Sequence, residues 1–201
     1  MVKNIIFDVG KVLVEYDPDT YMERLGFDDK IKKVLNEAMF QNYLWNEMDR
    51  GVFSTEDMLS KFISNAPSYE KEIRKAFENV GEAVEPFSYS VDWLKELKEQ
   101  GYRVYILSNY PEHTYKQTEQ KMKFLDYVDG AIFSYTCKVI KPEKEIYKKL
   151  CQNYSLNPSE SVFLDDRLEN VEQAQKLGLY GIVFKTYEQG RKELEQLLKE
   201  N

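Results

Sequence analysis

Short apolar runs separated by helical segments constrain the fold of this chain more than any other feature. Such runs predict buried strands at residues 3–7, 102–107, 131–133, 161–164 and 180–184. Apolar residues between the later runs have helical spacing, as over residues 143–154 and 169–177. Strands that alternate with helices form a parallel sheet with helices on both faces. The sequence therefore predicts an α/β fold.

Residues 17–86 show a different pattern, which predicts helices throughout this segment. Asp17-Pro18 and Glu85-Pro86 bracket this segment like two hinges, and Ser54 with the acids after it indicates a helix start. The helical spacing of apolar residues lies near 20–25, 29–44, 55–65 and 69–79. We therefore expect a core of residues 1–16 and 87–201 and a helical unit of residues 17–86 inserted into it.

Polar side chains that could take part in catalysis or ligand binding lie at or just beyond the ends of the predicted strands. Open parallel sheets bind ligands beyond the carboxyl ends of their strands, so these side chains are expected to meet at one edge. They are Asp8, Ser108, Asn109, Lys141, Asp165 and Asp166.

This set of side chains is suited to phosphate chemistry. Three neighbouring carboxylates cannot all stay ionised without a cation, and Mg²⁺ prefers oxygen ligands. Asp8 would attack phosphorus and form an aspartyl-phosphate, which water then cleaves. Lys141 would supply a fixed counter-charge, while Ser108 and nearby backbone N–H groups would hold phosphate oxygens. Asn109 is a further candidate for substrate binding.

The ordered motifs resemble the haloacid dehalogenase superfamily of phosphohydrolases. They are FDVGKVL at residues 7–13, LSN at 107–109, KP at 141–142 and FLDD at 163–166. Each motif alone is weak, but the ordered set spans nearly the whole chain. The resemblance implies a Rossmann-like three-layer core with a parallel sheet, and a helical-bundle cap formed by residues 17–86.

The resemblance also implies roles for individual residues. Asp8 would be nucleophile and metal ligand, and Gly10 would offer its backbone carbonyl to Mg²⁺. Asp165 would be the third protein ligand, with Asp166 helping through water or by positioning Lys141.

A cap loop is expected to reach into the site and select the substrate. Residues 48–51 are its counterpart here, with Arg50 as a candidate substrate contact.

The sequence departs from the family pattern at Gly10, where most of these phosphatases carry a second Asp that acts as general acid and base. Such help is worth roughly 10²–10⁴-fold in rate. The sugar 1-phosphate phosphatase branch is similar in having Gly there. We therefore expect a substrate whose leaving group needs little protonation, such as an anomeric sugar phosphate or an acyl phosphate. Glu15, Asp17 and His113 are alternative acids.

Composition narrows the class of protein. The net charge of −7 argues against nucleic-acid binding, and no apolar stretch approaches the length of a membrane helix. The start of the chain lacks the pattern of a signal peptide. Cys137 and Cys151 are expected to be two unpaired thiols in a reducing cytoplasm. The expected protein is a cytoplasmic, magnesium-dependent phosphatase of a small phosphorylated metabolite, with sugar phosphates as the expected class and the oligomeric state open.

Three rival functions remain open at this point. They are a non-catalytic phosphate-binding or regulatory protein, a haloacid dehalogenase, and a phosphotransferase or mutase.

Overall fold

A five-stranded parallel sheet forms the centre of the computed structural model, which describes residues 1–200. The strands of the described chain are β1 (Asn4–Phe7), β2 (Val14–Tyr16), β3 (Val84–Pro86), β4 (Arg103–Ser108), β5 (Gly130–Phe133), β6 (Ser161–Asp165) and β7 (Tyr180–Val183). The order across the sheet is β5-β4-β1-β6-β7, so β1 lies at its centre. Phe7 is in register with Ile106 of β4 and Leu164 of β6, which brings the carboxyl ends of these three strands level.

Helices cover both faces of the sheet, as the sequence predicted. The helices are α1 (Pro18–Arg24), α2 (Asp29–Leu35), α3 (Tyr43–Arg50), α4 (Thr55–Asn65), α5 (Glu70–Glu78), α6 (Ser90–Glu99), α7 (Glu112–Thr118), α8 (Ser134–Cys137), α9 (Lys144–Tyr154), α10 (Leu168–Lys176) and α11 (Tyr187–Glu200). Among the described residues, none of these helices has the length and apolar character that crossing a membrane requires.

Alternation along β1 explains the three layers. Ile5 and Phe7 belong to the apolar cluster that also contains Trp93 of α6, whereas Ile6 belongs to the cluster that contains Tyr147 of α9. Successive side chains of a strand point to opposite faces, so one strand serves both clusters. The expected Rossmann-like α/β core is confirmed.

The helices of residues 18–78 pack around an apolar cluster of their own. Helix α5 shows the cause, because Ile73, Ala76 and Phe77 follow helical spacing and are all buried. Four helix starts use side-chain caps, provided by Asp17, Asp28, Asn42 and Ser54.

The structure differs from the sequence prediction where the inserted segment leaves and rejoins the core. The two predicted hinges are replaced by a short antiparallel ribbon, in which Tyr16 of β2 pairs with Val84 of β3. Strands of three residues show too little alternation to be recognised from sequence. The domain boundaries at 16/17 and 86/87 remain a prediction.

The predicted helix over residues 29–44 is also divided. Helix α2 is followed by a π-helical turn at Asn36–Phe40, and α3 begins after Asn42. The Asn42 side chain accepts a hydrogen bond from the backbone N–H of Leu44, which caps a new helix start.

Candidate active site

A buried lysine lies between two carboxylates at the carboxyl edge of the sheet. The Nζ atom of Lys141 is 2.8 Å from Oδ1 of Asp8 and 2.6 Å from Oδ2 of Asp165. Asp8 directly follows β1, and Asp165 is the last residue of β6. Lys141 is only 3% exposed. A charge buried this deeply requires charged partners, so the three side chains form one electrostatic unit.

The charges of this unit shift one another's protonation. Burial raises the pKa of Asp8 to about 6, against the opposing effect of Lys141. Burial by itself would lower the pKa of Lys141, but the carboxylates of Asp165 and Asp8 outweigh it and raise that pKa. Lys141 therefore keeps its positive charge beside Asp8.

Asp165 is held by hydrogen bonds on both of its carboxylate oxygens. Besides Lys141, its donors are the Nδ2 group of Asn170 at 2.9 and 3.0 Å and the backbone N–H of Arg167 at 2.8 Å. Asp165 is fully buried, and it does not line the cavity described below. Because Asp165 ends β6 just before α10, the N-cap residue Arg167 and Asn170 in the first turn of that helix hold its carboxylate.

Asp166 takes the position that faces the cavity. Burial raises the pKa of its carboxyl, and the neighbouring Asp165 adds to this effect. The carboxylate groups of Asp8, Asp165 and Asp166 offer oxygen atoms within 4.8 Å of one another. An oxygen-only donor set with this much negative charge fits a hard divalent cation, and Gly10 lines the same cavity.

Ser108 and Asn109 lie at the end of β4 but have different surroundings. Ser108 is buried, and its side chain lies close enough to Asp8 to oppose the rise in the pKa of that carboxyl. The Asn109 amide group makes a pair of hydrogen bonds with the backbone of Lys141, at 2.7 and 3.0 Å. Asn109 thus fixes the loop that carries the lysine, while it also lines the cavity.

Arg50 is not brought to this cluster. Its guanidinium forms two hydrogen bonds with the carboxylate of Glu143, at 2.7 and 2.9 Å, and a longer contact with Glu47. Arg50 is absent from the residues that line the cavity. The arginine that the sequence assigned to substrate contact instead joins α3 to the loop before α9.

Asp49 occupies the inward position next to Arg50. It is 7% exposed and lines the cavity. Burial raises the pKa of Asp49 to about 8, and the negative charge of Asp8 adds to the shift. Within residues 1–200, no hydrogen bond or ion pair reaches its carboxylate. The sequence analysis expected residues 48–51 to reach the site but singled out Arg50 rather than Asp49, although Asp49 follows Leu44, Trp45 and Met48 on the apolar stripe of α3.

The cavity between the sheet edge and the inserted helices has a volume of about 190 Å³. The polar cluster lies on the wall at the sheet edge, and the other walls are mainly apolar and aromatic. These wall residues are Val14, Tyr16, Trp45, Val84, Tyr110 and Pro111. Two buried hydroxyl groups on the walls, of Tyr16 and Thr114, have no hydrogen-bond partner among the described residues.

The three alternative acids lie elsewhere. Asp17 caps α1 by accepting a hydrogen bond from the backbone N–H of Thr20. His113 stacks on Phe77, with ring centroids 4.5 Å apart. Glu15 is exposed on β2, and none of the three lines the cavity.

Comparison with protein-family models finds one match over most of the chain. The model described as haloacid dehalogenase-like hydrolase matches residues 2–178.

Comparison with characterised proteins and solved structures finds relatives of similar length. The sesquiterpene phosphatase astK of Aspergillus oryzae is 27% identical, over 90% of this chain and 88% of that protein. The D-ribitol-5-phosphate phosphatase of Bacteroides thetaiotaomicron is 26% identical, over 89% of each. A HAD family enzyme from Bacteroides thetaiotaomicron, solved as its magnesium complex, has a TM-score of 0.75 and 25% identity, over 92% of this chain and 94% of that one.

Proposed function

Because the chain belongs to the haloacid dehalogenase-like hydrolase family, we propose that it is a magnesium-dependent phosphatase of small phosphorylated metabolites. One observation carries the proposal, namely the buried Lys141 held between Asp8 and Asp165 beside a cluster of three carboxylates. A dehalogenase needs no metal, whereas Asp166 adds to this cluster a further carboxylate whose negative charge a divalent cation would offset. The phosphatases among its relatives support the same proposal over dehalogenase activity.

Asp8 is the proposed nucleophile. Its carboxylate oxygen attacks phosphorus, the bond to the leaving oxygen breaks, and an aspartyl-phosphate forms on Asp8. Lys141 holds Asp8 in place and balances negative charge as the phosphoryl group moves. The side chain of Ser108 lies beside Asp8 and lowers the pKa of its carboxyl.

Mg²⁺ would be held by Asp8, Asp166 and the backbone carbonyl of Gly10. When bound, the ion would neutralise phosphate charge and so lower the repulsion that the carboxylate nucleophile meets. The sequence analysis gave the third ligand position to Asp165. The hydrogen bonds that occupy both Asp165 oxygens favour Asp166 instead, with Asp165 as the positioning residue of Lys141.

The substrate proposal follows from the cavity walls. The unpartnered hydroxyls of Tyr16 and Thr114 suit a leaving group that carries hydroxyls, so sugar and polyol phosphates come first. The aromatic surface of Trp45 favours a second candidate class, namely phosphate esters with an apolar leaving group. The volume of the cavity restricts both classes to small groups.

The test is phosphate release from sugar, polyol, acyl and apolar alkyl phosphates, each with and without Mg²⁺. We expect magnesium-dependent release that Asp8→Asn abolishes. Phosphate that moves to a second sugar would instead indicate a phosphotransferase, and halide release from a 2-haloacid without metal would indicate a dehalogenase. Magnesium binding with no turnover would favour a regulatory phosphate-binding protein.

A further inference from the structure

We propose that Asp49, carried by the inserted helix α3, is the general acid and base of the reaction and takes the place of the carboxyl that is missing at Gly10. This inference rests on the proposed phosphatase function. It assigns the proton transfers to a residue of the inserted segment, so the chemistry is divided between that segment and the sheet edge.

The position of Asp49 is fixed by contacts on both sides of it. The backbone carbonyl of Asp49 accepts a hydrogen bond of 2.5 Å from the hydroxyl of Ser134. The next residue, Arg50, is paired with Glu143, and the Lys138 amine donates to the carbonyl of Gly51. Three consecutive residues of the inserted segment are thus joined to the core, and the Asp49 carboxyl is held on the cavity wall.

The carboxyl of Asp49 is buried yet unused by the fold. No described residue donates a hydrogen bond to it or pairs with it, although Asp8 and Lys141 lie close enough to affect its charge. A buried carboxyl without a partner costs free energy, so stability gives no reason for its presence. A substrate in the cavity would lie between Asp8 and the inserted wall that bears Asp49, and would supply the missing partner.

The absence of a side chain at Gly10 is not imposed by crowding. A Cβ atom built there would meet no other atom within 4 Å, and the residue has no positive φ. An aspartate could therefore stand at position 10. The protein has its acid on the opposite wall instead, and this makes position 10 a place to test for rescue.

Asp49 would transfer one proton in each of the two steps of the reaction. In the first, Asp8 attacks phosphorus, the bond from phosphorus to the leaving oxygen breaks, and the proton of the Asp49 carboxyl passes to that oxygen. In the second, water attacks the aspartyl-phosphate while the Asp49 carboxylate takes its proton. The bond between phosphorus and Asp8 then breaks, which releases phosphate and restores both carboxyl groups.

The experiment compares wild type with Asp49→Asn on two kinds of substrate that differ in how much their leaving groups need a proton. On alkyl phosphates, such as polyol phosphates, kcat/KM should fall by roughly 10²–10⁴-fold. On acyl phosphates the first, phosphorylating step should change by less than about tenfold, because a carboxylate leaves without a proton. Water activation is still impaired, so rapid quench should show phosphoenzyme accumulating in the variant.

The matched control is Glu56→Gln, on helix α4 of the inserted segment, which removes an exposed carboxylate outside the cavity and should leave the activity on both kinds of substrate unchanged. The double variant Gly10→Asp with Asp49→Asn should recover part of the lost alkyl phosphatase rate. Mg²⁺ binding, followed by calorimetry, should be the same in wild type and Asp49→Asn.

The possible outcomes separate the two proposals. Equal losses on alkyl and acyl phosphates, without phosphoenzyme, would overturn the acid–base role and leave Asp49 as a structural residue. Unchanged activity in Asp49→Asn, with an active wild type, would overturn the inference alone. A wild type that releases phosphate from neither kind of substrate would overturn this inference together with the proposed function.

Discussion

The sheet edge and the wall formed by the inserted segment treat their polar groups in opposite ways. At the sheet edge every charge of the central unit has a partner, since Lys141 pairs with Asp8 and Asp165, and Asn170 completes the set. Across the cavity, no residue among 1–200 donates a hydrogen bond to the carboxyl of Asp49 or pairs with it. Groups satisfied within the protein are pre-organised, whereas unsatisfied groups are available to a ligand. Under the proposed function, the core would therefore hold the phosphoryl group and the inserted wall would meet the leaving group.

The largest expected effect comes from removing the lysine at the paired edge. Lys141→Met would leave Asp8 and Asp165 buried without their counter-charge, so we expect a loss of about 3–5 kcal/mol in the free energy of unfolding. Phosphatase activity should fall below detection. Urea denaturation and phosphate release measure the two effects, with Lys144→Met as the exposed control. A stable variant would contradict the account of the paired edge.

A smaller effect is expected from removing the hydrogen bonds that Asn170 donates to Asp165 at the same sheet edge. Asn170→Ala removes two hydrogen bonds to Asp165, so Lys141 would lose its fixed position. We expect kcat to fall by roughly 10–100-fold, the size usual for groups that orient catalytic residues. The KM for substrate should change less than kcat, and steady-state kinetics would show whether it does.

The raised pKa of Asp49 on the inserted wall should make the free energy of unfolding depend on pH. The folded-state pKa of Asp49 is raised from 3.8 to about 8, because of burial and the charge of Asp8, while Lys141 and Arg167 act in the opposite direction. Between pH 4 and 8 the native state therefore holds a proton that the unfolded state releases. Stability contributed by this group is present below pH 4 and is lost as pH rises through about 8.

Asp49→Asn removes this dependence and separates it from that of Asp8. Without added metal, the variant should match wild type near pH 4 and melt a few degrees higher above pH 8. Thermal melts at a series of pH values give the measurement. A constant difference between the two proteins across the series would show that Asp49 does not titrate as described.

The smallest effect is expected at the contact that joins the two regions. Arg50 and Glu143 are both partly exposed, so a double-mutant cycle should give a coupling of about 0.5–1 kcal/mol. The charge exchange Arg50→Glu with Glu143→Arg should restore most of the activity that either single change loses. A swap that restores stability but not activity would mean that Arg50 contacts the substrate after all.

The strand ends could be predicted because they depend on local patterns. The apolar runs before Asp8 and Asp165 are short and fully buried, and parallel strands place their carboxyl ends together. The proximity of Asp8, Lys141, Asp165 and Asp166 followed from that rule. The β2–β3 ribbon could not be predicted, because three residues carry no usable periodicity and its pairing joins residues far apart in sequence.

The sequence by itself determined the parallel core, the inserted helices and the polar set at the strand ends. Only the tertiary structure decided that Asp49 faces the cavity while Arg50 pairs with Glu143. Consecutive residues on a helix point about 100° apart, so the choice between them depends on how α3 docks against the core. The same holds for Asp165 and Asp166, because hydrogen bonds from the following helix hold one carboxylate in the interior and leave the other at the cavity.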